Sequence, residues 1–233
     1  MDVREIRMPA GAKKTTRIIN ELAPRMPFRM VVAGGSGSGK TNLVVDLISR
    51  WLPWNILMVY AKHLDIPAYV ALRQKIEKRE QKLKRPISVW SSSLDDVIPL
   101  DELNPENAHI ALFDDMVLDK KAQDKIAHFF IRGRHKNVSA IYVSQSWKQV
   151  PKMIRENCTH IILLRGNNAD TLDDLYRDYG SGFKNKEDFL KFVRAGTQKP
   201  FGFVVIDDNP VLPELRYRIG WDTLVLPDND DAK

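Results

Sequence analysis

The sequence predicts an α/β fold in which a mostly parallel central sheet is covered by helices on both faces. Three observations point to it. Short apolar runs typical of buried strands alternate with segments whose apolar residues recur at helical spacing. The stretch FRMVVAGGSGSGKTNL (28–43) places a glycine-rich loop between such a strand and such a helix. The 233 residues suffice for one α/β domain with a sizeable core but not for two large ones.

The glycine-rich loop matches the phosphate-binding loop at every required position, since Gly34, Gly39, Lys40 and Thr41 fit the pattern Gly-x4-Gly-Lys-Thr. Glycines let successive N–H groups turn toward the α- and β-phosphates, the lysine reaches the β- and γ-phosphates, and the threonine hydroxyl is a ligand for Mg²⁺. A flexible Gly/Ser loop is the alternative, but the strand and helix predicted beside it argue against that. The residues expected to bind a nucleotide are Gly34, Gly35, Ser36, Gly37, Ser38, Gly39, Lys40, Thr41 and Asn42.

The other elements follow from the apolar patterns and from the residues that interrupt them. Trp51-Leu52-Pro53-Trp54 ends the helix after the loop, and Pro86 ends a long basic helix. Strands are expected at 30–33, 55–61, 87–90, 110–113, 138–143 and 159–164, with 200–207 as the last strand. Helices are expected at 42–48, 68–85, 120–135, 149–156, 170–179 and 186–193.

Acidic and amide side chains follow two of these strands, and in open α/β sheets ligands gather at the carboxyl ends of the strands. Asp114 follows the strand at 110–113 and is the acid expected for Mg²⁺. Asp115 could polarise an attacking water, although a simple turn after the strand is the alternative. Gln145 ends the next strand and could hydrogen-bond both the γ-phosphate and that water. The alternative for Gln145 is a cap for the helical segment that follows.

The net charge of +6 favours a polyanionic partner. The predicted helix at 68–85 contains RQKIEKREQKLKR, with seven basic and two acidic residues, and is either a solvated face or a surface that contacts DNA. Arg132 and Arg134 stand near the end of the helix at 120–135. They could donate charge to the γ-phosphate of a neighbouring subunit, or they could be cations favoured by the helix dipole.

The cysteine content and the hydropathy of the sequence indicate the cellular compartment in which the protein is expected. The single cysteine, Cys158, excludes an internal disulfide framework and fits a reducing environment. No N-terminal stretch has the apolar core of a signal peptide, and no apolar run approaches the roughly 18 residues of a membrane span. An intracellular protein with no integral membrane segment is therefore expected.

Three stretches together resemble a known group of P-loop ATPases. GGSGSGKT, the ALFDDM acid pair and RGRHKNVSAIYVSQSWKQVPKMIRENCTHIILLRGNNADTLDDLY look like the FtsK-HerA superfamily, most closely the genome-packaging ATPases of large DNA viruses, virophages and related elements. The similarity covers residues 28–179. It implies a RecA-like fold of the additional-strand class, with one more strand between the loop strand and the acid strand. It also implies a motor that hydrolyses ATP with Mg²⁺ and works as a homo-oligomeric ring moving double-stranded viral DNA into a capsid.

The resemblance carries site roles onto matched positions: Lys40 and Thr41 for phosphate and Mg²⁺, Asp114 for Mg²⁺, Asp115 as catalytic acid, Gln145 as sensor and Arg134 as the finger acting in trans. Bacterial members usually carry Glu where this chain has Asp115.

The expected organisation is an N-terminal arm at 1–27, a P-loop ATPase domain at 28–208 and a C-terminal extension with an acidic tail at 209–233. The expected location is the assembly site in the cytoplasm of an infected cell, and the virion, with capsid or virion components as partners.

Other classes of P-loop protein are alternatives to a packaging motor. A GTPase is suggested by Asn185-Lys186-Glu187-Asp188, but no buried strand precedes it and no glycine follows the acid pair as in a switch segment. A small-molecule kinase would need an Arg-rich lid, which the sequence does not delimit. A nucleotide-binding regulator without hydrolysis and a DNA translocase with a role other than packaging stay open. DNA-stimulated ATP hydrolysis separates the motor from the kinase and the regulator.

Overall fold

The structure, a computed structural model, describes residues 22–116 and 120–227, and one sheet runs through this part of the chain. The strands within these ranges are β1 (Arg29–Ala33), β2 (Ile56–Ala61), β3 (Ser88–Ser91), β4 (His109–Asp114), β5 (Val138–Ser144), β6 (His160–Leu164), β7 (Phe203–Asp207), β8 (Tyr217–Ile219) and β9 (Thr223–Leu224). They stand in the order β3-β2-β4-β5-β1-β6-β7-β8-β9. The first six strands of that order pair in parallel and the last three antiparallel, so the predicted mostly parallel sheet is confirmed.

Helices cover both faces of the sheet, as predicted. They are α1 (Lys40–Asp46), which continues as a π-helical turn at Leu47–Trp51, α2 (Pro67–Leu83), α3 (Lys120–Arg132), α4 (Lys152–Arg155), α5 (Ala169–Tyr179) and α6 (Lys186–Thr197). Strand side chains alternate between the two faces. Val32 of β1 packs on the side of α1 and α2, whereas Val31 packs on the side of α3 to α6. Burial on both faces explains why these strands are continuous apolar runs in the sequence.

The strand order places one strand between the loop strand and the acid strand. β5 pairs with β1 on one side and with β4 on the other, which confirms the additional-strand class. In this register Ala33 lies opposite Ser144, and Asp114 lies opposite Val143. The three strands therefore end at the same edge of the sheet, and the residues that follow them come together there.

Two segments differ from the sequence prediction. The helix expected at 149–156 is divided by Pro151 into a 3-10 turn (Trp147–Gln149) and α4, because proline has no N–H to continue a helical ladder. The prediction that 200–207 is the last strand is wrong, since β8 and β9 extend the sheet beyond it. These strands are only three and two residues long, too short to give a period-2 pattern.

The two predicted terminal segments are described only in part. Of the arm expected at 1–27, residues 1–21 lie outside the described residues, as does the acidic tail from 228 to 233. No helix in the described part of the chain has the length and apolarity needed to cross a bilayer.

Candidate nucleotide-binding site

The phosphate-binding loop packs directly against the chain that leaves β6. The Gly35 N–H donates to the carbonyl of Arg165 over 2.8 Å. A Cβ on Gly166 would lie 2.6 Å from the Gly35 nitrogen, and a Cβ on Gly34 would lie 2.8 Å from Cβ of Leu164. Glycine at 166 thus permits backbone to approach backbone, and glycine at 34 permits the loop to approach the Leu164 side chain. The sequence assigned the loop glycines to phosphate contact alone, but Gly34 also meets a packing requirement.

Lys40 begins α1 and turns its ammonium group back over the loop. Nζ donates to the carbonyls of Gly34 and Gly35 over 2.7 and 2.9 Å. Burial lowers the pKa of Lys40, while the nearby carboxylates of Asp114 and Asp115 raise it. The cation is thus held at the mouth of the loop, where the pattern places the β- and γ-phosphates.

Ser38 supplies a second observation that fits an anion in the loop. Its side chain is buried, and its hydroxyl oxygen has no hydrogen-bond partner among the described residues. A buried polar group without a partner is costly, and a phosphate oxygen would accept its hydrogen bond. Together with Lys40, this group makes the loop suited to a phosphate chain.

Asp114 is held by two hydroxyl groups. Oδ2 accepts a hydrogen bond from Thr41 over 3.0 Å and one from Tyr69 over 2.5 Å. Burial raises the pKa of Asp114, and the bonds from Tyr69 and Thr41 oppose that rise. The Thr41 hydroxyl and the Asp114 carboxylate are hard oxygen ligands beside the loop. This donor set fits Mg²⁺, which is commonly bound by one or two carboxylates together with substrate phosphates.

Asp115 and Gln145 face each other across the end of the sheet. Gln145 Nε2 lies 3.5 Å from Oδ1 of Asp115, a long hydrogen bond. Asp115 adopts a left-handed backbone with φ of 51°, a conformation that aspartate tolerates better than most residues. The capping alternative for Gln145 is wrong, because the Ser146 hydroxyl caps the next turn by accepting from the N–H of Lys148. Gln145 is exposed and free to contact a ligand.

A cleft of about 190 Å³ unites these groups, and we call it the phosphate cleft. It opens between the loop and the carboxyl ends of β2, β4 and β5. Its lining residues are Ser36, Gly37, Lys40, Thr41, Ala61, His63, Ile66, Asp114, Asp115, Val143, Ser144 and Gln145. The structure thus brings the predicted loop, acids and amide into one site.

Arg132 and Arg134 do not join this site within the same chain. Both are exposed and precede β5, whose seven residues span about 20 Å before Gln145. Arg132 is the last residue of α3, and its Nη2 atom lies 3.4 Å from Nδ1 of His128. Their assignment as catalytic groups stays a prediction, and it requires a neighbouring subunit.

The guanine-recognition alternative has a structural explanation. Asn185 is the N-cap of α6, and its Oδ1 accepts a hydrogen bond from the N–H of Asp188 over 3.0 Å. The motif thus begins a helix on the opposite face of the sheet from α1. Capping accounts for these residues.

A comparison with protein families gives one match over most of the chain. The sequence profile described as Poxvirus A32 protein matches residues 17–224. The chain belongs to the poxvirus A32 protein family. This membership confirms the resemblance to viral genome-packaging ATPases that the sequence analysis drew from three motifs.

Curated relatives of this A32 family member come from poxviruses. DNA packaging protein OPG160 of Vaccinia virus (strain Copenhagen) is 29% identical over 210 residues, which are 85% of this chain and 76% of that protein. The protein of the same name from Variola virus is 28% identical over 218 residues, 89% of this chain and 78% of its own length.

Solved structures of similar fold confirm the RecA-like class. The crystal structure of B204, the DNA-packaging ATPase from Sulfolobus Turreted Icosahedral Virus, gives a TM-score of 0.56 at 14% identity and covers 83% of this chain and 97% of that one. The genome packaging NTPase B204 from Sulfolobus turreted icosahedral virus 2, in complex with ATP-gammaS, gives 0.51 at 13% identity, with coverages of 83% and 96%. At these identities the likeness is one of fold.

Tyr69 contacts Asp114 in the site of this A32 family member, and its sequence position did not predict that role. It lies in the first turn of α2 and is almost completely buried. In the sequence it is one more apolar position of a helix, without a motif to mark it. Only the position of α2 beside β4 brings its hydroxyl to Asp114.

Proposed function

We propose that this protein is the ATPase motor of viral DNA packaging, which hydrolyses ATP to move double-stranded DNA into a capsid. The observation that carries the proposal is the meeting of Lys40, Asp114, Asp115 and Gln145 in the phosphate cleft at one edge of the sheet. A nucleotide-binding protein without hydrolysis needs the loop. It does not need a carboxylate and an amide beyond the loop at 3.5 Å from each other.

The roles of the residues follow from their positions. Lys40 leaves the loop carbonyls and balances charge on the β- and γ-phosphates. Thr41 and Asp114 would hold Mg²⁺, which when bound neutralises charge on the phosphates. Gln145 orients a water toward the γ-phosphorus, and Asp115 accepts the proton that this water loses. As the water oxygen bonds to the γ-phosphorus, the bond from that phosphorus to the β,γ-bridging oxygen breaks, and ADP keeps that oxygen. Inorganic phosphate then leaves, and Gln145 loses a hydrogen-bond partner.

A ring of identical subunits would supply the remaining catalytic group. Arg134 is exposed at the sheet edge opposite its own phosphate cleft, so it is available to a neighbouring subunit. A guanidinium placed there would stabilise charge on the transferring phosphoryl group. The names of the poxvirus relatives as DNA packaging proteins support DNA and capsid components as partners. The proposed location is the assembly site in the cytoplasm of the infected cell, and the virion.

The deciding experiment measures the ATPase rate with and without double-stranded DNA, alongside the mass of the assembly. The proposal expects a rate that rises with DNA and an oligomer under the same conditions. Lys40→Ala should abolish turnover in both cases, because it removes the ammonium group above the loop. ATP binding without hydrolysis in the presence of DNA would instead favour the regulator.

A further inference from the structure

An exposed phenylalanine stands beside the phosphate-binding loop in a conformation that is unfavourable for it. Phe201 is 67% exposed, and its φ is +61°. The N–H of Gly202 donates to the carbonyl of Lys199 over 2.9 Å, which closes a β-turn with Pro200 and Phe201 at its centre. A turn with proline first and a positive φ second is type II, and its second central position favours glycine.

This strain calls for a compensating role of the side chain. For a bulky residue, a left-handed backbone is an outlier, and such outliers persist at ligand sites where the surrounding structure enforces them. Glycine would fit the turn without strain, yet the chain carries an aromatic residue that it leaves in solvent. The apolar core does not need this ring, because the ring is not buried.

The ring lies against the glycine that precedes the loop lysine. A Cβ on Gly39 would come within 2.8 Å of Cδ1 of Phe201, so the aromatic edge rests on the backbone of the loop. Phe201, Ile66, Pro67 and Ala68 form the apolar wall of a second cleft, which we call the apolar cleft, of about 340 Å³. It holds no acidic side chain among its described lining residues.

The apolar cleft adjoins the phosphate cleft. Both are lined by Gly37, Lys40, Thr41 and Ile66. The side of the loop that carries Asp114, Asp115 and Gln145 has the acidic and amide groups. The side that carries Phe201 has an apolar wall, with Asn42 as a further polar side chain beside the shared Lys40 and Thr41. A nucleoside triphosphate has the same division, with a charged phosphate chain at one end and a flat apolar base at the other.

We propose that Phe201 is the base-stacking residue of the nucleotide site, and that the apolar cleft between it and Ile66 binds a purine base. The inference rests on the proposed function and adds to it where the base lies and what holds it. Every base offers a π-face, so stacking binds adenine and guanine nucleotides alike. The contribution of the ring is specific to the base and absent for the phosphate chain.

The test compares ligands with and without a base. Dissociation constants of ATP, GTP and inorganic tripolyphosphate, each with Mg²⁺, are measured for the wild type, Phe201→Ala and Phe201→Tyr. Phe201→Ala should weaken both nucleotides by roughly 5- to 150-fold, the range of one base–aromatic stack, and leave tripolyphosphate unchanged. Phe201→Tyr should bind as the wild type does. Val211→Ala, which also truncates an exposed apolar side chain, is the matched control.

A second variant tests the strain independently of activity. Phe201→Gly suits the type II turn, so the nucleotide-free protein should gain about 2–4 °C in Tm while it loses affinity for ATP. Higher stability together with weaker nucleotide binding is expected if the strained backbone of Phe201 is tolerated because its ring binds the base. A lower Tm together with unchanged ATP affinity would show that the ring is structural.

The outcomes separate this inference from the proposed function. Unchanged ATP affinity in Phe201→Ala, or an equal loss for tripolyphosphate, overturns the base subsite even if DNA still stimulates hydrolysis. A change only in the mass of the assembly would overturn it too and would place Phe201 between subunits. Conversely, selective loss of nucleotide affinity in a protein that DNA does not stimulate would support the subsite and contradict the motor.

Discussion

Tyr69 donates its hydroxyl hydrogen to Oδ2 of Asp114 over 2.5 Å, the same oxygen that accepts from Thr41. Burial and the neighbouring carboxylate raise the pKa of Tyr69, so the phenol stays protonated and remains a donor. Asp114 is thereby fixed in one orientation at the end of β4. The bond connects the first turn of α2 to the group expected to hold Mg²⁺.

Tyr69→Phe should reduce ATP turnover by about 10- to 100-fold, the usual cost of losing a partner that orients a metal ligand. It should also move the acid limb of the pH–rate profile to higher pH, because the lost hydrogen bond is one that lowers the pKa of Asp114. Turnover measured against pH and Mg²⁺ concentration checks both effects. Tyr176→Phe is the control, and an unmoved acid limb would leave Tyr69 with a packing role only.

Asp114→Asn should stabilise the nucleotide-free protein at neutral pH. Burial raises the folded-state pKa of Asp114, so the folded protein holds the neutral carboxyl group more tightly than the unfolded chain does. The stability that this preference contributes is fully present below the unfolded pKa and is lost as pH rises through the folded pKa. The variant should therefore have the higher Tm at pH 7, and the difference should vanish toward pH 4. Thermal unfolding across this range measures it, with the exposed Asp222→Asn as control. A constant difference at all pH values would rule out titration as the cause.

Asp115→Asn should bind ATP with nearly unchanged affinity and hydrolyse it about 10²- to 10⁴-fold more slowly, since an amide cannot accept the proton of the attacking water. Asp115→Glu is the matched variant and should keep substantial turnover, because it restores the carboxylate. Nucleotide affinity and single-turnover rates on both proteins decide the assignment. Wild-type turnover by Asp115→Asn would mean that another group is the base.

The exposed lysines of α2 test the predicted DNA surface. Lys75, Lys78 and Lys82 are exposed, whereas Arg79 is half-buried and its guanidinium lies 4.9 Å from the ring centre of Trp54. If the three lysines contact phosphates, their replacement by glutamine should flatten the salt dependence of DNA binding by about 0.9 in log–log slope per lost contact.

The matched control for this experiment is Lys186→Gln with Lys191→Gln. These lysines are already paired with acids, Lys186 with Asp173 at 2.6 Å and Lys191 with Asp188 at 3.0 Å. Neutralising them should leave the slope of the salt dependence unchanged. An equally unchanged slope in the α2 variant would mean that the lysines of this helix form a solvated face and do not contact DNA.

Arg134→Ala should leave nucleotide binding by its own subunit nearly intact and reduce hydrolysis by roughly 10³-fold or more if the arginine acts in trans. Mixed with Lys40→Ala, it should recover part of the activity wherever an intact arginine faces an intact loop. ATPase rates of the mixture, after subunit exchange has been verified, measure this recovery. A mixture that stays inactive would mean that Arg134 acts within its own subunit or serves only the turn that follows α3.

The centre of the site could be predicted because its residues come directly after parallel strands, and the ends of those strands lie side by side in the sheet. The phosphate-binding loop, Asp114 and Gln145 each come at the end of an apolar run, and the carboxyl ends of parallel strands meet at one edge of the sheet. The loop pattern then assigned the chemistry. No contact between distant side chains was needed to predict this part of the site.

Tyr69 and Phe201 could not be predicted in the same way, because their roles depend on tertiary position. Tyr69 follows the apolar spacing of a helix, and its hydroxyl matters only since α2 packs beside β4. Phe201 fell within the strand expected at 200–207. The turn closed by Lys199 and Gly202 delays β7 until Phe203 and leaves the ring outside the sheet.

The close approach of Gly35 and Gly166 limits which substitutions the chain can tolerate at position 166. No side chain lies between the two backbones, so no change of rotamer can absorb a substitution at 166, and a methyl group there would reach the Gly35 nitrogen at 2.6 Å. The left-handed φ of Gly166, 105°, adds a second penalty. A mutation at the end of β6 would therefore deform the phosphate-binding loop as surely as one inside it, although the two positions are far apart in the chain.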